Sequence, residues 1–137
     1  MIVKMDYMVS KVEKYSDQRG DLVVFLKNKD LQTLRDSFGQ IYFITFTSKG
    51  IIRGNHYHKN WREWFTIVEG EVLIKLEDVR NKENVTIVLS SNNKEHLRLE
   101  IGPYIAHSFK SLSESASLLN YADKEWLEKD TFYYKLM

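Results

Sequence analysis

Gly50-Ile-Ile-Arg-Gly-Asn-His56-Tyr-His58-Lys-Asn-Trp-Arg-Glu63-Trp-Phe-Thr-Ile-Val-Glu-Gly70 is the stretch whose reading decides the rest of the chain. Side chains two apart on a strand share a face, so His56 and His58 present two imidazoles to one side, roughly 6–7 Å apart along the chain. Trp64-Phe-Thr-Ile-Val68 is a dense apolar run. Just beyond it, Glu71-Val-Leu-Ile-Lys-Leu-Glu77 alternates, with Val72, Ile74 and Leu76 turned to a core, Glu71, Lys75 and Glu77 turned to water, and Leu73 the departure. Glycine takes positive φ without strain, so Glu69-Gly70 between the two runs predicts the turn of a tight hairpin.

Outward from this stretch, short runs rich in Val, Ile, Phe, Tyr and Thr predict further strands over 41–47, 51–58, 85–89, 97–101 and 116–122. No ten-residue helical pattern separates them, which favours an all-β sandwich or barrel over alternating α/β units. The ends read as short helical or irregular pieces: 31–38 fits one or two helical turns, and 124–136 is charged and aromatic without a period. Residues 81–84 and 90–95 are polar clusters that read as solvated loops, and His96 beside them reads as a surface residue.

The chain has 137 residues, 43% hydrophobic and 13% aromatic, with one proline and no cysteine, which fits a single domain over 1–137. Twenty Lys and Arg against nineteen Asp and Glu leave a net charge of +1, too small a field to hold a nucleic-acid backbone or an anionic membrane. Lys4 and Asp6 interrupt the apolar start, and no run approaches the eighteen or so apolar residues of a membrane helix, so a cytoplasmic protein is expected. Without cysteine, any metal must rest on His and carboxylate. Three of the four histidines join Glu63 in one arrangement, because His107 follows the Gly102-Pro103 corner, where a distant strand can return beside His56 and His58. His56, His58, Glu63 and His107 form a donor set suited to Zn²⁺, Fe²⁺, Mn²⁺ or Ni²⁺.

The spacing G-x5-H-x-H-x4-E-x6-G from Gly50 to Gly70 resembles the first signature of the cupin superfamily at every position. Gly102-Pro103-Tyr104-Ile105-Ala106-His107 resembles the second, although Asn120 lies too far along the chain to be its closing Asn. The fold implied is the cupin double-stranded β-helix, a jelly-roll barrel. Asp17-Gln-Arg-Gly20-Asp-Leu-Val, Ile41-Tyr-Phe43, Arg53 to Lys59 and Tyr121 to Trp126 resemble the sugar-nucleotide branch, with coverage of about residues 15–135. That branch holds the dTDP-4-keto-6-deoxyhexose 3,4-ketoisomerases, the dTDP-4-dehydrorhamnose 3,5-epimerases and the cupin domain of capsular UDP-sugar epimerases.

The relatives imply different chemistries. The ketoisomerase likeness implies metal-free proton transfer by His56 and His58. The capsular likeness implies a divalent ion, zinc first, on His56, His58, Glu63 and His107. In the 3,5-epimerases the position of His58 is usually Gln, a departure here. The common reaction starts from a 4-keto sugar whose C3 hydrogen is acidified by the ketone; an imidazole with a pKa of about 6.5 removes it and a donor stabilises the enediolate. The expected catalytic residues are His56, His58 and Tyr104, with Tyr42 and Tyr57 as further candidate acids where a metal polarises the carbonyl. Arg53 suits a diphosphate, Arg19 the nucleotide, and Tyr42 the base or sugar, with Phe43, Trp61 and Trp64 as further stacking candidates. A nucleotide-sugar isomerase or epimerase of surface polysaccharide synthesis is therefore expected, as a homodimer in which the start of the chain can supply an exchanged strand. The alternatives are a non-catalytic sugar- or metal-binding cupin and a metal-dependent cupin oxygenase.

Overall fold

Val72, Ile74 and Leu76 are fully buried while their neighbours are partly or wholly exposed, so the period-two pattern of 71–77 becomes a strand with one face in a core. The same rule places the other strands of this computed structural model, which describes residues 4–31 and 38–137. The strands are β1 (Tyr7–Val12), β2 (Lys14–Asp17), β3 (Gly20–Val23), β4 (Gln40–Phe46), β5 (Ile52–Tyr57), β6 (Glu63–Glu69), β7 (Glu71–Asp78), β8 (Asn84–Ser90), β9 (His96–Ile101), β10 (Ile105–Ser111), β11 (Ala116–Ala122) and β12 (Phe132–Tyr133). Short 3-10 turns at Asn28–Asp30 and Glu128–Asp130 complete the described elements.

Two antiparallel five-stranded sheets carry the fold, one in the order β1-β9-β6-β11-β4 and the other β12-β5-β10-β7-β8, with β2 and β3 as a separate hairpin. This is the all-β, jelly-roll architecture that the resemblance to the cupin superfamily implies. Phe65, Ile67, Leu99 and Leu118 of the first sheet meet Val72, Ile74, Leu76 and Phe109 of the second in one hydrophobic core. The Phe65 and Phe109 rings bridge the sheets with centroids 5.0 Å apart. Among the described residues, no helix is long and apolar enough to cross a membrane.

Four expectations need correction or limits. Gly70 does not close a hairpin: β6 pairs with β9 and β11, whereas β7 pairs with β10 and β8. The chain crosses from one sheet to the other there. Gly70 has φ +81°, and a Cβ on it would strike the Ser115 carbonyl and the Cα of Ala116, so the corner is tight against the turn before β11. Local turn chemistry is the same for a hairpin and a corner; long-range pairing decides between them. His96 is not a surface residue, because it starts β9 at 4% exposure with Nε2 3.0 Å from the Ile67 carbonyl. Tyr7–Val12 pairs with β9 of its own chain, while Met1–Val3 and most of the expected helical piece at 31–38, residues 32–37, lie outside the described residues.

Candidate active site

β5 and β10 build the imidazole cluster, and a β-bulge in β5 sets its geometry. His56 faces His107 across the pair, yet the next register partner of Ser108 is Gly54, so Asn55 is an extra residue without an opposite. Both bulge residues are left-handed, Gly54 at φ +91° and Asn55 at φ +59°. A Cβ at Gly54 would lie 2.7 Å from the His107 carbonyl, so only glycine fits. The inserted residue also flips the parity of the strand. Arg53 pairs with Phe109 and His56 with His107; since Phe109 and His107 both point inward, Arg53 and His56 share the inward face although they are three positions apart.

His56, His58 and His107 offer ring nitrogens that all lie within 4.8 Å of one another. Their ring centroids are 4.7 Å apart for His56 and His107 and 5.0 Å for His56 and His58. Glu63 reaches them from the opposite sheet, with Oε2 3.4 Å from His107 Nε2 and 3.7 Å from His58 Nε2. Burial strips water from all of these groups and disfavours their charged forms. It lowers His56, pushes His58 down to about 4, holds His107 well below the ordinary imidazole value, and raises Glu63 to about 7. The imidazoles are therefore neutral at pH 7, and their contacts with Glu63 are not ion pairs there.

Backbone carbonyls fix two of the tautomers. A carbonyl can only accept, so His58 Nδ1–H donates to the Asp130 carbonyl at 2.8 Å and His107 Nδ1–H donates to the Ile105 carbonyl at 3.0 Å. Their Nε2 lone pairs then face the Glu63 carboxylate. Three acceptors converge on one point, an arrangement that only a proton or a cation relieves. Ligands about 2.1 Å from a tetrahedral ion lie about 3.4 Å apart, and the Glu63 separations of 3.4 and 3.7 Å match that spacing. The three imidazoles form a group of metal-ligating type, with ring nitrogens spread over up to 4.8 Å and Glu63 beside two of them.

Around this point sit residues that the sequence reading used differently or passed over. Trp61 is 4% exposed and stacks on His58 with centroids 3.9 Å apart, so it braces an imidazole and is closed to a sugar. Asn120, fully buried, leaves both its amide atoms unpaired beside Glu63 and favours the charged carboxylate without completing a hydrogen bond. Its sequence distance from His107 excluded it from the second signature. Register on β11, where it faces both Phe65 and Tyr42, brings it back. Asp130 accepts hydrogen bonds from the Lys59 and Asn60 N–H groups at 2.9 and 3.0 Å, which anchors the loop after His58. Nothing in the aperiodic 124–136 stretch signalled that role.

The three candidate tyrosines separate. Tyr42 donates from its hydroxyl to Glu63 Oε1 at 3.3 Å, and burial with the neighbouring carboxylate raises its pKa, keeping the phenol protonated. Arg53 on β5 lies near enough to act on that phenol electrostatically, and it is exposed. Tyr104, expected as a catalytic acid, takes φ +68° before β10 and lies over the Arg80 guanidinium at 4.9 Å. It touches the cluster through its backbone, whose N–H donates to the His58 carbonyl at 2.8 Å. Tyr57 stacks on Phe132 on the other face of β5. Arg19 is also apart from the cluster: it caps the β2–β3 turn through Asp17, its guanidinium 2.6 Å from the carboxylate, with a side chain 84% exposed. Phe43 is exposed, and Trp64 is buried with its indole N–H donating to Glu100.

The model of the polysaccharide biosynthesis C-terminal domain family matches residues 15–131. The chain belongs to this family. No curated protein sequence gives a significant match. Among solved structures, a 3,4-ketoisomerase from Helicobacter canadensis is 27% identical, with TM-score 0.76 over 94% of this chain and 91% of its own. A double mutant of the 3,4-ketoisomerase QdtA from Thermoanaerobacterium thermosaccharolyticum, in complex with TDP, is 26% identical, with TM-score 0.77 over 95% of this chain and 88% of its own. The dTDP-4-dehydrorhamnose 3,5-epimerase of Bacillus anthracis, at 23% identity and TM-score 0.79 over 92% of this chain and 77% of its own, shares the family's fold.

Proposed function

We propose that the protein is a sugar-nucleotide isomerase or epimerase that moves a proton at C3 of a nucleotide-linked 4-keto-6-deoxy sugar in surface polysaccharide synthesis. The observation that carries the reading is the convergence, between two sheets, of neutral imidazoles with a protonated Tyr42 and with Arg53 on the same inward face as His56. His56, half-buried and neutral, takes the C3 proton. His58, held by the Asp130 carbonyl, shares its face and supports the transfer. Tyr42 donates toward the developing enediolate oxygen, the acid role that Tyr104 was expected to fill. Arg53 binds the diphosphate with its planar guanidinium. Such a base and donor pair contributes roughly 10²–10⁴ in rate.

Incubation with dTDP-4-keto-6-deoxyglucose in D₂O tests this. Deuterium is expected by NMR at C3 for an epimerase or at C4 of the 3-keto product for an isomerase, and absence of exchange at both carbons with both this compound and a UDP-4-keto-2-acetamido sugar defeats the proposal. Deuterium that enters with inversion at C3 marks an epimerase, and migration of the ketone to C3 with deuterium at C4 marks an isomerase.

A second reading is favoured by the clustering of the three imidazoles, with Glu63 beside two of them: His56, His58 and His107 would hold a divalent ion with Glu63 as a fourth ligand, zinc first by donor chemistry. When bound there, the ion supplies Lewis acidity toward the substrate carbonyl. Without it, Glu63 keeps the proton that its raised pKa favours and donates it to an imidazole. Elemental analysis of untagged protein separates the two. We also propose a homodimer, because the outer face of edge strand β4 leaves Ile41 at 58% and Phe43 at 73% exposure. Sedimentation of the purified protein checks it.

A further inference from the structure

The bulge that puts Arg53 and His56 on one face has to be kept from sliding, since a one-residue slip would send one of them outside. Asn55, the inserted residue, is gripped by the segment that follows β12. Its Oδ1 accepts from the Leu136 and Met137 N–H groups at 2.9 and 3.2 Å, and its Nδ2 donates to the Met137 carbonyl at 3.1 Å. Its own carbonyl accepts from the Tyr134 N–H at 2.8 Å. The gripping segment is itself braced. β12 pairs Phe132 with Tyr57 and Tyr133 with His56. The Tyr134 ring packs edge-on against Tyr57 at 6.0 Å, and its hydroxyl bonds to Glu77 and to Lys82 Nζ.

We propose that Asn55 is a positioning residue, and that with residues 134–137 it forms a clamp that fixes the β5 bulge and so holds His56 and Arg53 in one constellation. Four hydrogen bonds on a single inserted residue exceed what a surface turn needs, and asparagine is one of the few residues with a side chain that tolerates left-handed backbone. The clamp acts from the outer face of the sheet and never touches substrate. Its role in catalysis rests on the function proposed above, whereas its role in ring placement does not.

Two variants test it. Asn55→Gly keeps the left-handed backbone accessible and removes the three side-chain hydrogen bonds. Leu136→Pro deletes one N–H of the clamp without touching β5, which covers the case in which the first variant fails to fold. In each, the side-chain NMR signal of His56 is expected to shift and broaden while that of His96, in another sheet, stays put. If the parent exchanges C3 deuterium, kcat should fall about tenfold or more, because misplacement near 1 Å carries such penalties, and KM should rise through Arg53. Asn55→Asp, which preserves the Oδ1 acceptor but sets a second acceptor against the Met137 oxygen, should recover part of the loss. An unmoved His56 signal with kcat and KM within twofold of the parent overturns the clamp. A parent without exchange overturns the proposed function alone, since the His56 signal still decides the clamp.

Discussion

The two ends of the space between the sheets are built on the same strands and differ in one register step. One row across the second sheet reads Arg53, Phe109, Ile74 and Ile87; the next reads His56, His107, Leu76 and Val85. Around the first row the side chains are hydrocarbon apart from Arg53 at its open edge, and Phe109 closes against Phe65. Around the second, Glu63 Oε2, Trp61 Nε1 and both amide atoms of Asn120 are buried without a hydrogen-bond partner. Burying such polar groups costs free energy, which the hydrocarbon end offsets. Stability and chemistry are therefore separable by mutation along a single strand.

The largest effect expected from breaking this contrast is on rate. His56→Asn should lower C3 deuterium exchange by about 10²–10⁴ while leaving the unfolding midpoint near that of the parent; retention of exchange would remove His56 from the chemistry. Phe109→Ala, two strand positions from His107 on β10, should do the reverse. It is expected to cost about 3–5 kcal/mol of stability in urea unfolding, and a cost under about 1 kcal/mol would show that the hydrocarbon end is not the anchor.

Proton linkage acts on two groups of the polar end with opposite signs. The unfolded chain protonates its histidines below about 6.5, whereas the folded chain refuses the proton at His58 down to about 4, so His58 makes stability fall as pH drops through that window. Glu63 has the opposite sign. Its folded carboxyl stays protonated up to about 7 where the unfolded one has released its proton above 4.5, so its contribution falls as pH rises between them. Glu63→Gln removes only the second effect, and stability measured between about pH 5 and about pH 6.5 should then rise more steeply, by up to about 1.4 kcal/mol per pH unit. Parallel profiles for variant and parent would mean that Glu63 is held charged, as a bound cation would hold it. The smallest effect belongs to His96, whose Nε2 meets the Ile67 carbonyl. His96→Gln should cost about 1 kcal/mol with C3 exchange unchanged, and a loss of exchange would extend the site beyond the three clustered imidazoles.

Much of the fold was legible because its signals are local. The alternation at Val72, Ile74 and Leu76 and the paired spacing of His56 and His58 name strand and face from neighbours in sequence. Tyr104 and Tyr42 show where that legibility stops: both are tyrosines near the motifs, and only register between β4, β11 and β6 decides that Tyr42 meets Glu63. Asn120 and Asp130 reach the site by the same long-range pairing, without periodicity to announce them. Gly70 offered identical turn chemistry for a hairpin and for a crossing between sheets. The bulge at Asn55 is invisible for a related reason, since Gly-Asn reads as any loose turn until the opposite strand shows which residue has no partner.

The stack of Trp61 on His58, with centroids 3.9 Å apart, gives the molecule an optical gauge of its own. An indole in face contact with imidazole loses emission when that imidazole becomes cationic, so the intrinsic fluorescence of this protein should dim as acid or a bound electrophile reaches the ring. Ligand titrations could then be followed by light alone, with no label attached.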